Sequence, residues 1–535
     1  MKKVLSILLV ACILLAVACA PVSEVPTGPT PPGGPPLQDL ATPPPPPEPP
    51  PEGARFAEHI DISVDNGGLA VVNPFIPAGN PGGSQWAYTL IYDRLVEDLG
   101  ENNYGPMLAT SWHTDDGQTF VFNLRDDVYF HNGDHFTAED VVGTIRVAQE
   151  STGTIGFNAW RTVDSWNIPD PYTIELTLTS VHLDFIFDIS GPAGGIINEA
   201  AFRADPNEGV WIGTGPFMVT NFSTNDFVTV ERFDGFWGEA PLTQSITLRF
   251  VPEMATRLVM LQNRETHLCF GISADDVELI WDNPEFQILQ LTMTAPIGLA
   301  FNLADPLMAD PNFRRAVFHA LNLEDIAVVA AGTGARAPDD GNVWGMFTPY
   351  RLNDIPRWER NLDLARQYLA ASTYAGETVE ISAGVVTGVR AAEIVMIQLE
   401  EIGISTTINS MDLASWISYV AYGNNQSQMH INTISFTNSA IASVSNMLIP
   451  GMAGNRSSFN KPHVTELIER ARVEVDYNVR RALFEELQRY IADDPHWVNL
   501  FWRVFLYAGV SEVGGFRLDS DPFRHNLRGI FMTAD

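Results

Sequence analysis

Residue types able to do chemistry are scattered along this chain, and their spacing decides what each could contribute. His131 and His135 stand four apart with Asp134 between them, a spacing that binds metal from one face of a helix. Asn132-Gly133 lies inside that interval and signals a turn, so a structural turn is expected there and no metal site. Acids occur in pairs at Glu139/Asp140, Asp275/Asp276 and Asp493/Asp494. Glycoside hydrolysis needs two carboxylates held across a cleft, which adjacency does not supply, so solvated surface is expected. Ser84 and Ser111 lack a nucleophile elbow. Gly213-Thr-Gly-Pro216 is a turn signal and not a phosphate-cradling loop. Cys269, between Leu268 and Phe270, reads as a buried, inert thiol. No nucleophile, base or metal set emerges, so the expectation is a protein without enzymatic activity and without a cofactor. Binding chemistry remains, because tryptophans can stack on sugar rings or cover peptide side chains.

Composition narrows the partners. The chain has 535 residues with 31 basic and 65 acidic side chains, a net charge of −34. Nucleic acid and anionic membrane surfaces both require positive patches, so neither is expected. Lys2 and Lys3 precede an apolar run over 4–18 of secretory type. It ends in Ala16-Val17-Ala18-Cys19, which resembles a bacterial lipobox with Leu15 one place early. Residues 1–18 are therefore expected to be a lipoprotein signal peptide and Cys19 the lipidated residue. The proline runs within 19–54 predict an extended tether. No later stretch is apolar over the roughly 20 residues that a spanning helix needs.

The elements that must position any site mix strands and helices. Residues 119–124 (TFVFNL) and 171–178 (PYTIELTL) alternate with period two and predict strands. Thr137-Ala-Glu-Asp140 is a capping box that predicts a helix through about Gln149. Residues 217–222 and 227–232 predict a hairpin around 223–226. Asp310-Pro311 opens a helix through Leu321. Further helices are expected from about Glu324 to before Gly332, over 361–371, over 391–402 with Gly403 as C-cap, after Asp412 around Trp416, and twice within 463–493. Residues 404–408 read as a strand.

Several motifs recur in one order. Residues 92–145 contain Y-x-x-L, P-x-L-A-x-S-W, D-G-x-x-F-x-F-x-L-R, V-x-F-H-N-G and F-T-A-E-D-V. Gly213-Thr-Gly-Pro-Phe217 precedes Phe233-Asp-Gly-Phe-Trp-Gly238, and LAFNLADPLMADPNFRRAVFHALN occupies 299–322. QLEEIGI at 398–404 is followed by Trp416, and 480–500 carries R-x-x-x-F-x-x-L-Q with Asn499 where a second proline is usual. Together these resemble the family-5 extracellular solute-binding proteins, the dipeptide- and oligopeptide-binding components of ABC importers.

The resemblance implies an α/β fold of the periplasmic-binding-protein type II class, two lobes joined by a hinge, with an extra subdomain in the first lobe. Lobe I would span 55–293 with its insertion at about 91–210, lobe II 294–500, and 501–535 would return to lobe I. It implies capture of a peptide or peptide-sized solute by hinge closure and delivery to ABC permease subunits, by a monomer anchored to the bacterial cell membrane in the periplasm or at the cell surface. In the family's peptide binders an aspartate pairs with the ligand's ammonium group. The corresponding stretch here, 433–440, contains no acid. Oligosaccharides and modified peptides therefore stay open as ligands, and a lipid-anchored hydrolase or a signalling receptor are the remaining alternatives. Ligand contacts are expected from Trp86, Trp344, Trp416, Phe436, Asn438 and Trp502, whereas Trp112 and Trp237 belong to scaffold motifs.

Overall fold

Where apolar positions alternate, the chain extends. In Thr173–Leu178 the side chains of Ile174, Leu176 and Leu178 are buried while Thr173, Glu175 and Thr177 are partly exposed. The computed structural model describes residues 54–64, 73–75, 82–100, 103–152, 154–344, 350–384, 386–433, 439–519 and 524–533. Cys19, Phe436 and Asn438 lie outside the described residues. Thr173–Leu178 pairs with Thr119–Leu124 in a four-stranded antiparallel sheet completed by Ala109–His113 and Val163–Asp170. Helix Ala138–Glu150 starts as its capping box predicts, with the Thr137 amide donating to the Asp140 carboxylate at 2.8 Å.

The main sheet runs through both halves of the molecule. Its strands in chain order are β1 (Ile60–Val64), β2 (Phe217–Ser223), β3 (Phe227–Arg232), β4 (Ser245–Phe250), β5 (Leu268–Ile272), β6 (Phe286–Phe301), β7 (Val379–Ala383), β8 (Thr406–Ser410), β9 (Met429–Thr433) and β10 (Trp497–Val510). Across the sheet the order is β8-β7-β9-β6-β10-β5-β1-β4-β3-β2, and Ala335–Arg336 adds to β10. The β2–β3 hairpin forms where the sequence places it, with Asn225 in the left-handed region at φ 59°. Cys269 is buried on β5, and burial pushes its thiol up to about 11.

Some boundaries differ from the sequence reading. The helix expected over 391–402 begins earlier and spans Val386–Glu400, and the strand expected over 404–408 is Thr406–Ser410. Gly403 sits between them at φ 88°, the conformation its lack of a Cβ permits. Strand β6 is sixteen residues long and paired with β10 over most of both strands. Tertiary pairing extends it well beyond its local pattern.

Three apolar cores follow from this arrangement. The first takes residues 57–291 and 504–530, and includes Leu291 of β6 and Val504 of β10. The second takes Ile297 of β6, Phe501 of β10 and the helices around 307–404. The third joins helices α1 (Ala440–Leu448), α2 (Pro462–Val473) and α3 (Tyr477–Asp493). Thus β6 and β10 pass from the first core to the second as one antiparallel pair. The ladder slips between Thr292 and Pro296, within the stretch where the cores change over. Proline cannot donate to a ladder, so an irregularity is expected there. The C-terminal segment ties back to the first core through Arg528, which donates to the buried Asp93 carboxylate, itself held by the Trp237 indole at 2.7 Å. No helix among the described residues is long and apolar enough to cross a membrane.

Candidate ligand pocket

The parallel strands β7 and β9 end on the same side of the sheet. In open α/β sheets, ligands bind beyond the carboxyl ends of parallel strands. A cavity of about 210 Å³ lies there, lined by Ile297, Gly384, Trp416, Asn432, Thr433 and Arg456 among others. A larger depression of about 470 Å³ is lined by residues 422–426, just before β9 begins, and so sits towards the opposite end of the strands.

Each wall has a local cause. Asp412 accepts from the Ser415 amide at 3.0 Å and caps the short helix Leu413–Tyr419, which presents Trp416. Trp416 can approach β7 because Gly384 follows the strand: a Cβ there would lie 2.6 Å from Trp416 Cβ. Arg456 comes from the loop before α2. The fully buried Asn455 fixes that loop, donating to the Ile449 and Phe459 carbonyls at 3.1 and 2.8 Å and accepting from the Phe459 amide at 2.8 Å. Asn425 donates to the Arg456 carbonyl at 2.5 Å.

The guanidinium of Arg456 lies 5.0 Å above the Trp416 ring. Its Nη1 donates to Asn432 Oδ1 at 2.6 Å. Burial alone pulls its pKa below the ordinary arginine value, and a guanidinium stays charged at neutral pH even so. Behind the pocket, His430 of β9 is fully buried 6.2 Å from Trp416. Burial, with a smaller contribution from the Arg456 charge, holds its pKa down to about 3, so its ring is neutral.

Of the six ligand-contact residues expected from the sequence, Trp416 lines this cavity. Trp86 packs edge-on against Phe270 in the first core and stacks near His525. Trp344 is buried against Phe484 in the third core. Trp502 is buried on β10, opposite Pro296 on one side and Arg336 on the other. None of these three is among the residues lining the cavity. Trp112 and Trp237 pack against the first core. His131 braces a turn, its Nε2 2.9 Å from the Gly215 carbonyl. Arg456 and Asn432 were not anticipated from the sequence. Asn432 is the next-to-last residue of a strand buried along most of its length, and Arg456 sits in a polar loop that gives no local sign of facing a cavity.

Residues 103–451 match the family model described as the middle region of the bacterial extracellular solute-binding proteins, family 5. The glutathione-binding protein GsiB of Pectobacterium atrosepticum is 23% identical over 432 residues, covering 78% of this chain and 83% of that protein. Among solved structures, the ABC transporter substrate-binding protein CtaP of Listeria monocytogenes superposes with a TM-score of 0.79 at 20% identity, covering 90% of this chain and all of that one. The periplasmic binding protein DppA of Helicobacter pylori, solved with the peptide STSA, gives 0.69 at 20% identity, covering 90% and 99%.

Proposed function

The chain belongs to family 5 of the bacterial extracellular solute-binding proteins and has their two-lobed, type II α/β fold, and from that premise we propose that it captures a peptide-sized solute, one part of which enters the Trp416 pocket, and hands it to the permease of an ABC importer. The family is one of binding proteins, and capture requires only that the ligand favour the closed form over the open one. The observation that carries this reading is the pocket itself, where an aromatic face and a cation meet at the carboxyl ends of β7 and β9. The glutathione-binding relative GsiB and DppA, solved with the peptide STSA, support a peptide-like solute over a sugar. Closure would bend β6 and β10 near the slip at Thr292–Pro296, the stretch in which both strands leave the first core. Lipidation at Cys19 and a proline-rich tether would hold the body off the membrane surface.

Thermal unfolding with two ligand pools tests the proposal. A ligand at about 100 times its Kd stabilises by roughly 2.7 kcal/mol. Short peptides should raise the transition of the full chain, and plant-type oligosaccharides should not. A rise with oligosaccharides alone would replace the peptide reading by a sugar-binding one, and turnover of either pool would overturn the binding-protein reading altogether.

A further inference from the structure

We propose that Arg456 is the anchor for a carboxylate on the captured solute, so that the pocket selects acidic or free-acid peptide-like ligands. The inference rests on the solute-capture reading above and adds the chemistry of one contact. Arg456 has no carboxylate within ion-pair distance among the described residues, and its one side-chain hydrogen bond goes from Nη1 to Asn432. Acids outnumber bases by 65 to 31 in this chain, yet no described acid reaches this half-buried arginine. Several buried arginines elsewhere pair with an acid, Arg480 with Asp184, Arg351 with Asp340, Arg314 with Asp494, Arg524 with Asp98 and Arg528 with Asp93, whereas the buried Arg257 and Arg517 donate to backbone carbonyls instead. Residues 434–438, which follow β9, contain no acid to fill the role either.

The geometry leaves a specific edge of the guanidinium uncommitted. Nη1 is held by Asn432 and one face lies over Trp416, which fixes the plane. Nε and Nη2 together form the fork that matches the two oxygens of a carboxylate. Arg456 lines a cavity of about 210 Å³, room for one acidic group with its neighbouring atoms. The desolvation that a half-buried, unpaired cation suffers is offset when the ligand brings the opposite charge. An anionic ligand must approach a body of net charge −34, so this one fixed cation distinguishes the pocket from the surface around it.

The test follows thermal unfolding and calorimetric binding of the full chain in mild detergent with four probes. These are a pool of N-acetylated tripeptide free acids, the same pool as C-terminal amides, glutathione, and glutathione dimethyl ester. The free acids and glutathione are expected to bind, and the amides and the ester to bind at least about 10-fold more weakly. Arg456→Met should weaken the free acids by about 10- to 100-fold, the range for a charge-assisted pair, and the amides far less, erasing the preference for the acid. Arg456→Lys keeps the charge without the fork and should fall between, which serves as the readout if the Met variant unfolds early. Equal binding of acids and amides, or full retention of acid binding by Arg456→Met, would overturn the carboxylate anchor and leave solute capture standing. No response to any probe would overturn both.

Discussion

Arg480 on α3 donates from Nη2 to Oδ1 of Asp184 at 3.2 Å, although 296 residues separate them. Asp184 precedes the helix Phe185–Ser190, whose side chains sit in the first core, while Arg480 belongs to the helices of the third. Ser439, the N-cap of α1, also donates to Asp184, and Arg480 Nε holds the Ala471 carbonyl at 3.1 Å. Both charged side chains are largely buried, at 14% and 8% exposure. Removing one partner of a buried pair strands the other charge, at a cost of about 3–5 kcal/mol. Asp184→Ala should therefore lower unfolding stability by roughly that amount at most. A double-mutant cycle with Arg480→Met should give a coupling energy above about 1 kcal/mol. Under the proposed hinge closure, opening would break this bond, so small-angle scattering should find ligand-free Asp184→Ala more extended than the parent. Identical scattering profiles would remove the bond from any role in holding the lobes together.

Gly384 makes a second prediction, about the pocket wall. A methyl group there would meet Trp416 Cβ and Cγ at 2.6 Å, closer than packed carbons come. Gly384→Ala should shift Trp416 and with it the ring on which Arg456 lies, destabilising by about 1–3 kcal/mol. Ligand affinity should drop at least about 10-fold, which corresponds to 1.4 kcal/mol. Calorimetry together with near-ultraviolet circular dichroism reads both effects, and unchanged affinity would mean that the wall is not used.

The third prediction concerns acid. Burial holds His430, His496 and His525 down to about 3. An unfolded histidine takes its proton near 6.5, so between those values the unfolded chain binds protons that the native chain refuses. Stability present above about pH 6.5 is therefore lost as pH falls, by ~1.4 kcal/mol per pH unit for each histidine. Asp140 acts in the opposite sense: burial pushes its carboxyl up to about 6, so its contribution is present below the unfolded value near 4 and lost as pH rises through 6. Replacing His430 by Phe should shrink the difference in transition temperature between pH 7 and pH 5. An unchanged difference would show that His430 takes a proton in the native state.

Local signals explain what could be read in advance. The Thr137–Asp140 box, the Asp310, Asn361 and Asp412 caps, Gly403, and the turn at Asn225 all act within a few residues of themselves. Each satisfies orphan amides or a left-handed backbone in place, so the elements they bound were legible from the chain alone. The motif order between 92 and 500 carried the family and its fold in the same way, through residue identities at fixed spacing.

The candidate site was legible only in part. Trp416 was expected because a local cap and a motif place it, yet Trp86, Trp344 and Trp502 look alike in sequence and end in packed interiors. Nothing local distinguishes a tryptophan that faces a cavity from one that fills a core, since both bury a large apolar face. What this sequence determined by itself was the identity and sequence position of most of its elements, its excess of acid, and its family. The length of β6, the meeting of Arg456 with a tryptophan forty residues earlier, and the Asp184–Arg480 bond were decided by tertiary structure, because pairing and packing between distant segments override local preference.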